Sequence, residues 1–166
     1  ASSKVESVEF EAGGERVVVH GISYATAAME ENLSLRFPRA TGGGFQIGLL
    51  HANVGGSATG HQDYSPCSVD DLRRPGYQYW ALGHVHEHTV LRSAGTTIAY
   101  PGNLQGRHIR ETGERGAPLV DVDDGEVRAV ERLAVDVLRW EQLRVDIGGA
   151  NDMEAAVRLA GQAMEQ

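Results

Sequence analysis

The sequence predicts a strand-rich α+β domain, and three observations carry that expectation. Twenty-one glycines in 166 residues punctuate the chain, which favours many turns and short strands over a helical bundle. Apolar runs such as FQIGLLH (45–51) and YQYWALG (77–83) are short, as expected of buried strands that deliver their last residues to a sheet edge. Helix-start signals are few: Ser68 with Asp71, and Asn151 with Glu154, have capping-box spacing.

Taken in order, VESVEFEAGGERVVVHGISY (5–24) predicts a hairpin. Val5, Val8 and Phe10 precede a Gly-Gly turn, and the apolar, β-branched residues from Val17 follow it. Ala27, Met29 and Leu33 lie at loosely helical spacing, so a short helix is expected over 26–37. TGGG (41–44) reads as a loop, and 45–51 as a strand ending on His51. Residues 52–66 are rich in Gly and Ser and predict a long loop, a length usually functional or disordered. A helix of one or two turns should start at Ser68, with Asp70 and Asp71 favoured there by the helix dipole, and stop at Pro75-Gly76. Residues 77–83 form the next strand, with Tyr79 and Trp80 expected in the core rather than as base-stacking platforms. HTVLRS, TTIAY and APLVDVD follow as short strands, and 126–147 reads as two more with Trp140 between them. A final helix presents Met153, Val157, Ala160 and Met164 on one face.

Composition removes several classes of function. The net charge of −8 argues against nucleic-acid binding by bulk charge, although a metal centre would supply local positive charge that this count misses. The single cysteine, Cys67, rules out an intramolecular disulfide and disfavours a cysteine-based zinc site. No apolar run approaches the length of a membrane span, and Lys4, Glu6 and Glu9 interrupt any leader-like opening. A cytoplasmic protein with no membrane partner is the expectation.

The chemistry concentrates in GHVHEH, which places three of the seven histidines at 84, 86 and 88. His51 and His84 each terminate an apolar run. Parallel strands ending side by side would join them at the carboxyl edge of a sheet, where α/β sites form. His86, two residues on, would project to the same side in extended chain, about 6–7 Å away. That spacing suits two ions about 3.5–4 Å apart better than one shared ion. Imidazole suits zinc, manganese or iron. His20, His61 and His88 read as structural histidines. Asp63, Glu87 and Asp70 are the nearest candidate acids, and none sits on an obvious strand end.

These strings resemble a known family. GLLHANVGG (48–56), YSPCSVDDLRRPGYQYWALGHVHEH (64–88) and YPGNLQGRHIRETGERGAPLVDVDDG (100–125) are similar to calcineurin-like metallophosphoesterases, in the bacterial DNA-repair exonuclease (SbcD-like) branch. The Gly-His-x-His element is common to the superfamily, whereas YWALGHVH and YPGNLQGRHIRETG are more specific to the branch. The resemblance implies that His51 and His84 bind one metal and His86 its neighbour. It implies two divalent metals, with Mn(2+) favoured and Zn(2+) or Fe(2+) fitting the same ligands. The family's Asp-x-His, Gly-Asp and Gly-Asn-His motifs are not found here, so the catalytic residues are expected upstream of this chain.

The implied fold is therefore the second half of a four-layer αββα metallophosphoesterase domain. Residues 1–147 would form the C-terminal part of that domain, and 148–166 a helix leading toward an absent capping domain. The implied function is metal-dependent phosphodiester hydrolysis on DNA, with this chain inactive alone. The implied partners are DNA and, for the complete protein, an ATPase of the structural-maintenance-of-chromosomes type; exposed sheet edges would also favour a homodimer. Arg107, Arg110 and Arg115 could grip a phosphate backbone, with His108 lining the site. Equally, they could belong to a solvated loop, paired with Glu111 and Glu114. Two other readings stay open: a mononuclear three-histidine metal-binding module, and a non-catalytic interaction scaffold.

Overall fold

The computed structural model describes residues 4–24, 29–55 and 64–164. The expected hairpin is present: β1 (Glu6–Ala12) and β2 (Glu15–Gly21) pair antiparallel across Gly13-Gly14. Both glycines have positive φ, which a side chain at either position would resist. β3 (Phe45–His51), β4 (Tyr79–Gly83), β5 (Thr89–Ser93) and β6 (Thr96–Tyr100) complete a six-stranded sheet in the order β1-β2-β3-β4-β6-β5. Strands β2, β3, β4 and β6 run parallel, and β1 and β5 close the edges antiparallel. A separate hairpin, β7 (Gly116–Asp123) with β8 (Glu126–Ala134), carries a bulge between Asp121 and Val122. The fold is thus α+β and strand-rich, with a mixed sheet. Among the described residues no helix is long and apolar enough to cross a membrane.

Side-chain alternation along β3 and β4 builds two cores. Leu50, Trp80 and Leu82 face one side, under Leu33, Phe37, Leu72 and Tyr77. Phe45, Ile47, Tyr79 and Ala81 face the other, where Val120, Val122, Val127 and Val130 of the second hairpin pack. An open groove of about 790 Å³ remains between sheet and hairpin, lined by residues such as Val17, Phe45, Ile47 and Tyr79. Tyr79 and Trp80 are core residues, as expected. His20 is structural as well: it is buried, stacks on Tyr77, and bonds the Ser7 hydroxyl and the Gln46 side chain.

Trp80 is fully buried and donates its indole N–H to the Leu72 carbonyl at 2.7 Å. Gly48 is its register partner, and a Cβ there would stand 2.4 Å from the indole ring. Gly48→Ala should therefore cost about 1–3 kcal/mol through overpacking. A lower urea midpoint at unchanged m-value would show it, and an unaltered midpoint would mean that the indole yields freely.

The helix α1 (Val69–Arg73) begins as expected. Ser68 Oγ accepts from the Asp71 N–H, and the Asp71 carboxylate accepts from the Ser68 N–H at 2.9 Å. Three other expectations need correction. The helix foreseen over 26–37 is only a 3-10 turn at Leu33–Arg36; residues 25–28 lie outside the described residues. Asn32 caps it by accepting from the Ser34 N–H, which starts the turn late, and Pro38 follows closely. The strand expected after Trp140 is not formed. Ahead of it, residues 135–140 dock on the 101–115 loop: Gln105 Oε1 accepts from the Val137 and Leu138 N–H groups, and Trp140 donates to the Gly106 carbonyl. The last helix, α2 (Met153–Met164), is capped by Asp152, whose carboxylate accepts from the Ala155 N–H at 2.8 Å, rather than by Asn151. Its apolar residues Met153, Val157 and Met164 are exposed.

Asp136 anchors the docked segment. Its carboxylate takes two hydrogen bonds from the Arg139 guanidinium, at 2.8 and 3.0 Å, and one from the Arg115 N–H. The Arg139 bonds, chiefly, hold its carboxyl at about 2. A depressed carboxyl stabilises the fold above its ordinary value of 3.8, and that contribution fades as pH falls toward about 2. The stability gap between wild type and Asp136→Asn should therefore narrow over that window. Urea midpoints measured across it test this, and a gap independent of pH would refute it.

Candidate functional site

β3 and β4 end in register, with His51 opposite Gly83, at the carboxyl edge of the parallel strands. His51 closes β3 and His84 follows β4 directly, so their rings meet edge-on with centroids 5.2 Å apart. Gly83 makes this contact feasible, because a Cβ there would lie 2.7 Å from His51 Nδ1. Tyr24 and Tyr64 enclose the pair. Tyr64 stacks on His84 at 5.7 Å and meets His51 edge-on at 5.2 Å. Tyr24 packs edge-on against both His51 and Tyr64, and its hydroxyl donates to the His51 carbonyl.

Partial burial lowers the His51 pKa, and the neighbouring His84 and His86 imidazoles lower it further. The neutral ring favoured in this way is the form that binds metal. His84 has φ 102°, a left-handed conformation that costs a non-glycine residue about 1–3 kcal/mol and recurs at functional sites. The chain therefore turns at His84 instead of running extended, so the simple i, i+2 projection of His84 and His86 does not apply.

His86 follows in the loop before β5. Its Nδ1 lies 2.7 Å from Glu111 Oε1, a residue 25 positions further along the sequence. Glu111 is buried, and its other oxygen accepts from the Arg107 N–H at 2.7 Å. That backbone bond, with smaller help from His86 and His108, holds the Glu111 carboxyl at about 2. His108 Nε2 stands 3.7 Å from the same carboxylate. Among the described residues, no group of three His, Cys, Asp or Glu side chains is arranged to hold one metal ion.

The sequence-predicted residues therefore divide. His51 and His84 converge, and His86 is close enough to influence the charge of His51. Arg107, His108 and Arg110 lie exposed on the 101–115 loop. The expected pairing of these arginines with Glu111 and Glu114 is not what forms: Glu111 takes the Arg107 backbone and the His86 ring, and the Glu114 carboxylate stands 3.8 Å from the Arg139 guanidinium. Arg115 donates instead to the His86 and Thr112 carbonyls, both at 2.9 Å. Glu87 and Asp70 are exposed, the latter paired with Arg73. His61 and Asp63 lie outside the described residues. Sequence reasoning missed Glu111 as a partner of His86, and missed Tyr24 and Tyr64 altogether. The one signal for Glu111 was a lone acid within the basic stretch GRHIRE.

No family model matches the chain. The chain is 41% identical over 160 residues to a Bacillus subtilis (strain 168) protein named uncharacterized metallophosphoesterase YhaO. The match takes in 96% of this chain and 39% of that protein, so the chain spans about two-fifths of the length of the relative it matches. Similarity of that degree along nearly the whole chain supports the metallophosphoesterase family for this protein.

Proposed function

We propose that this chain supplies part of a dinuclear metal site in a phosphodiesterase that acts on DNA, an exonuclease of the SbcD-like branch. The carrying observation is the meeting of His51 and His84 at the carboxyl edge of two parallel strands, with a glycine clearing the space between them. The donor chemistry fits divalent cations of the manganese, zinc and iron group. Two imidazoles adjoin, one of them biased toward the neutral form, and a third has one ring nitrogen tied to a carboxylate. His51 and His84 would hold one ion and His86 its neighbour. When bound, such cations offset charge on the attacking and leaving oxygens of a phosphodiester.

The chain's own residues orient the site. Tyr24 and Tyr64 fix the rings of His51 and His84 by packing. Arg107 and Arg110, exposed on the adjoining loop, would meet the phosphate backbone, with His108 beside them. In this reading residues 1–147 are the second half of a four-layer domain, and 148–166 lead toward a capping domain. The apolar groove beside the second hairpin and the exposed apolar face of α2 favour it, because both leave surface for further chain to cover. The complete protein would act in the cytoplasm with an ATPase of the structural-maintenance type.

The test is hydrolysis of linear duplex DNA by the full-length protein that carries this sequence. Turnover should require manganese or a related cation and cease with a chelator. The 166-residue chain alone should show none, because the motifs that bring the bridging carboxylate are not found in it. Chelator-resistant turnover by the full-length protein, or robust turnover by the chain alone, would defeat the reading.

A further inference from the structure

Glu111 is a buried carboxylate that no sequence motif assigned a role at His86, and the loop bearing it is built around His86. Arg115 Nη1 and the Asn103 N–H both donate to the His86 carbonyl, at 2.9 and 3.3 Å. Gly102 presses close enough that a Cβ there would lie 3.0 Å from that carbonyl. The Glu111 backbone is set by its own turn, its N–H donating to the His108 carbonyl at 2.9 Å. Both backbone and ring of His86 are therefore pinned by residues 102–115.

We infer that Glu111 is a positioning residue, which keeps the His86 proton on Nδ1 and so makes Nε2 the nitrogen that carries the ring's lone pair. One Glu111 oxygen is spent on the Arg107 N–H, and the other faces His86 Nδ1. An ionised carboxylate only accepts, so Nδ1 must carry the hydrogen. Neutral imidazole in that state offers Nε2 alone to a cation. A carboxylate behind a ligating histidine typically sets tautomer and ring direction, and its loss costs about 10–100-fold in metal affinity. The inference rests on the reading of His86 as a ligand only for this last consequence; the tautomer stands apart from it.

The isosteric variant Glu111→Gln gives a sharp test. The amide has one acceptor oxygen, and the Arg107 N–H demands it. Its NH₂ then faces His86 Nδ1, which must become the acceptor. The His86 proton should move to Nε2. Nitrogen-15 NMR of the metal-free chain at alkaline pH reads the site of protonation, with His86 signals assigned by comparison with His86→Asn. Wild type should carry the proton on Nδ1 and Glu111→Gln on Nε2, while Glu111→Ala should relax to a mixture. A wild-type proton on Nε2, or an unchanged tautomer in both variants, overturns the inference. Calorimetric titration with manganese then separates the two readings. Affinity about 10–100-fold weaker in Glu111→Gln is expected if His86 ligates. A tautomer switch with no change in manganese affinity would keep the role of Glu111 and remove His86 from the metal site.

Discussion

His84→Gly in the full-length protein should abolish the DNA hydrolysis proposed for it while leaving the metal-free fold at least as stable as wild type. Loss of activity should be at least about 100-fold, since even the partners behind a metal ligand are worth about 10–100-fold. The stability expectation comes from the backbone. His84 sits at φ 102°, where a side chain is strained by about 1–3 kcal/mol and glycine is not. Relief of that strain offsets the lost contacts with His51 and Tyr64. A histidine retained for packing would behave differently, because its removal would lower the melting temperature and spare turnover. Activity and metal-free melting measured on the same preparation decide between the two. Retained hydrolysis would exclude His84 as a ligand.

Trp80→Ala should have the largest effect on stability. The indole is fully buried, packs against Phe37 at 4.8 Å and Tyr77 at 5.3 Å, and donates to the Leu72 carbonyl. Truncating a buried tryptophan costs about 3–5 kcal/mol. For a chain of this size that lowers the melting temperature by on the order of 10 °C. Leu72 belongs to α1 and Trp80 to β4, so the variant should also loosen the helix on the sheet. Hydrogen exchange within residues 69–73 would report that loosening, and a loss below about 1 kcal/mol would show that the cavity collapses readily.

The parts of the fold legible in the sequence are those governed by neighbours in the chain. The Gly-Gly hairpin, the Ser68 capping box and the strands ending at His51 and Gly83 all follow from local pattern. The errors occur where a distant partner wins. Asn32, which also donates to the Asp71 carboxylate, converts a helical pattern into a single 3-10 turn. Past β8 the chain is held by a loop some 30 residues earlier, where the Gln105 side chain accepts the Val137 and Leu138 N–H groups, and the strand expected after Trp140 does not form. The site divides in the same way. The approach of His51 to His84 could be foreseen from parallel strands that end side by side. The bond from His86 to Glu111 could not, because it depends on how a loop 25 residues away folds back. Nor does composition announce a left-handed histidine at position 84.

The pairing of β3 with β4 ties chemistry to folding. Sliding β4 by one residue would turn Trp80 toward the hairpin and bring Tyr79 under the helix, inverting both cores. The same slip would carry Gly83 away from His51 and put a side chain in its place. A chain that misaligns these strands thus forfeits the meeting of the imidazoles together with its hydrophobic interior.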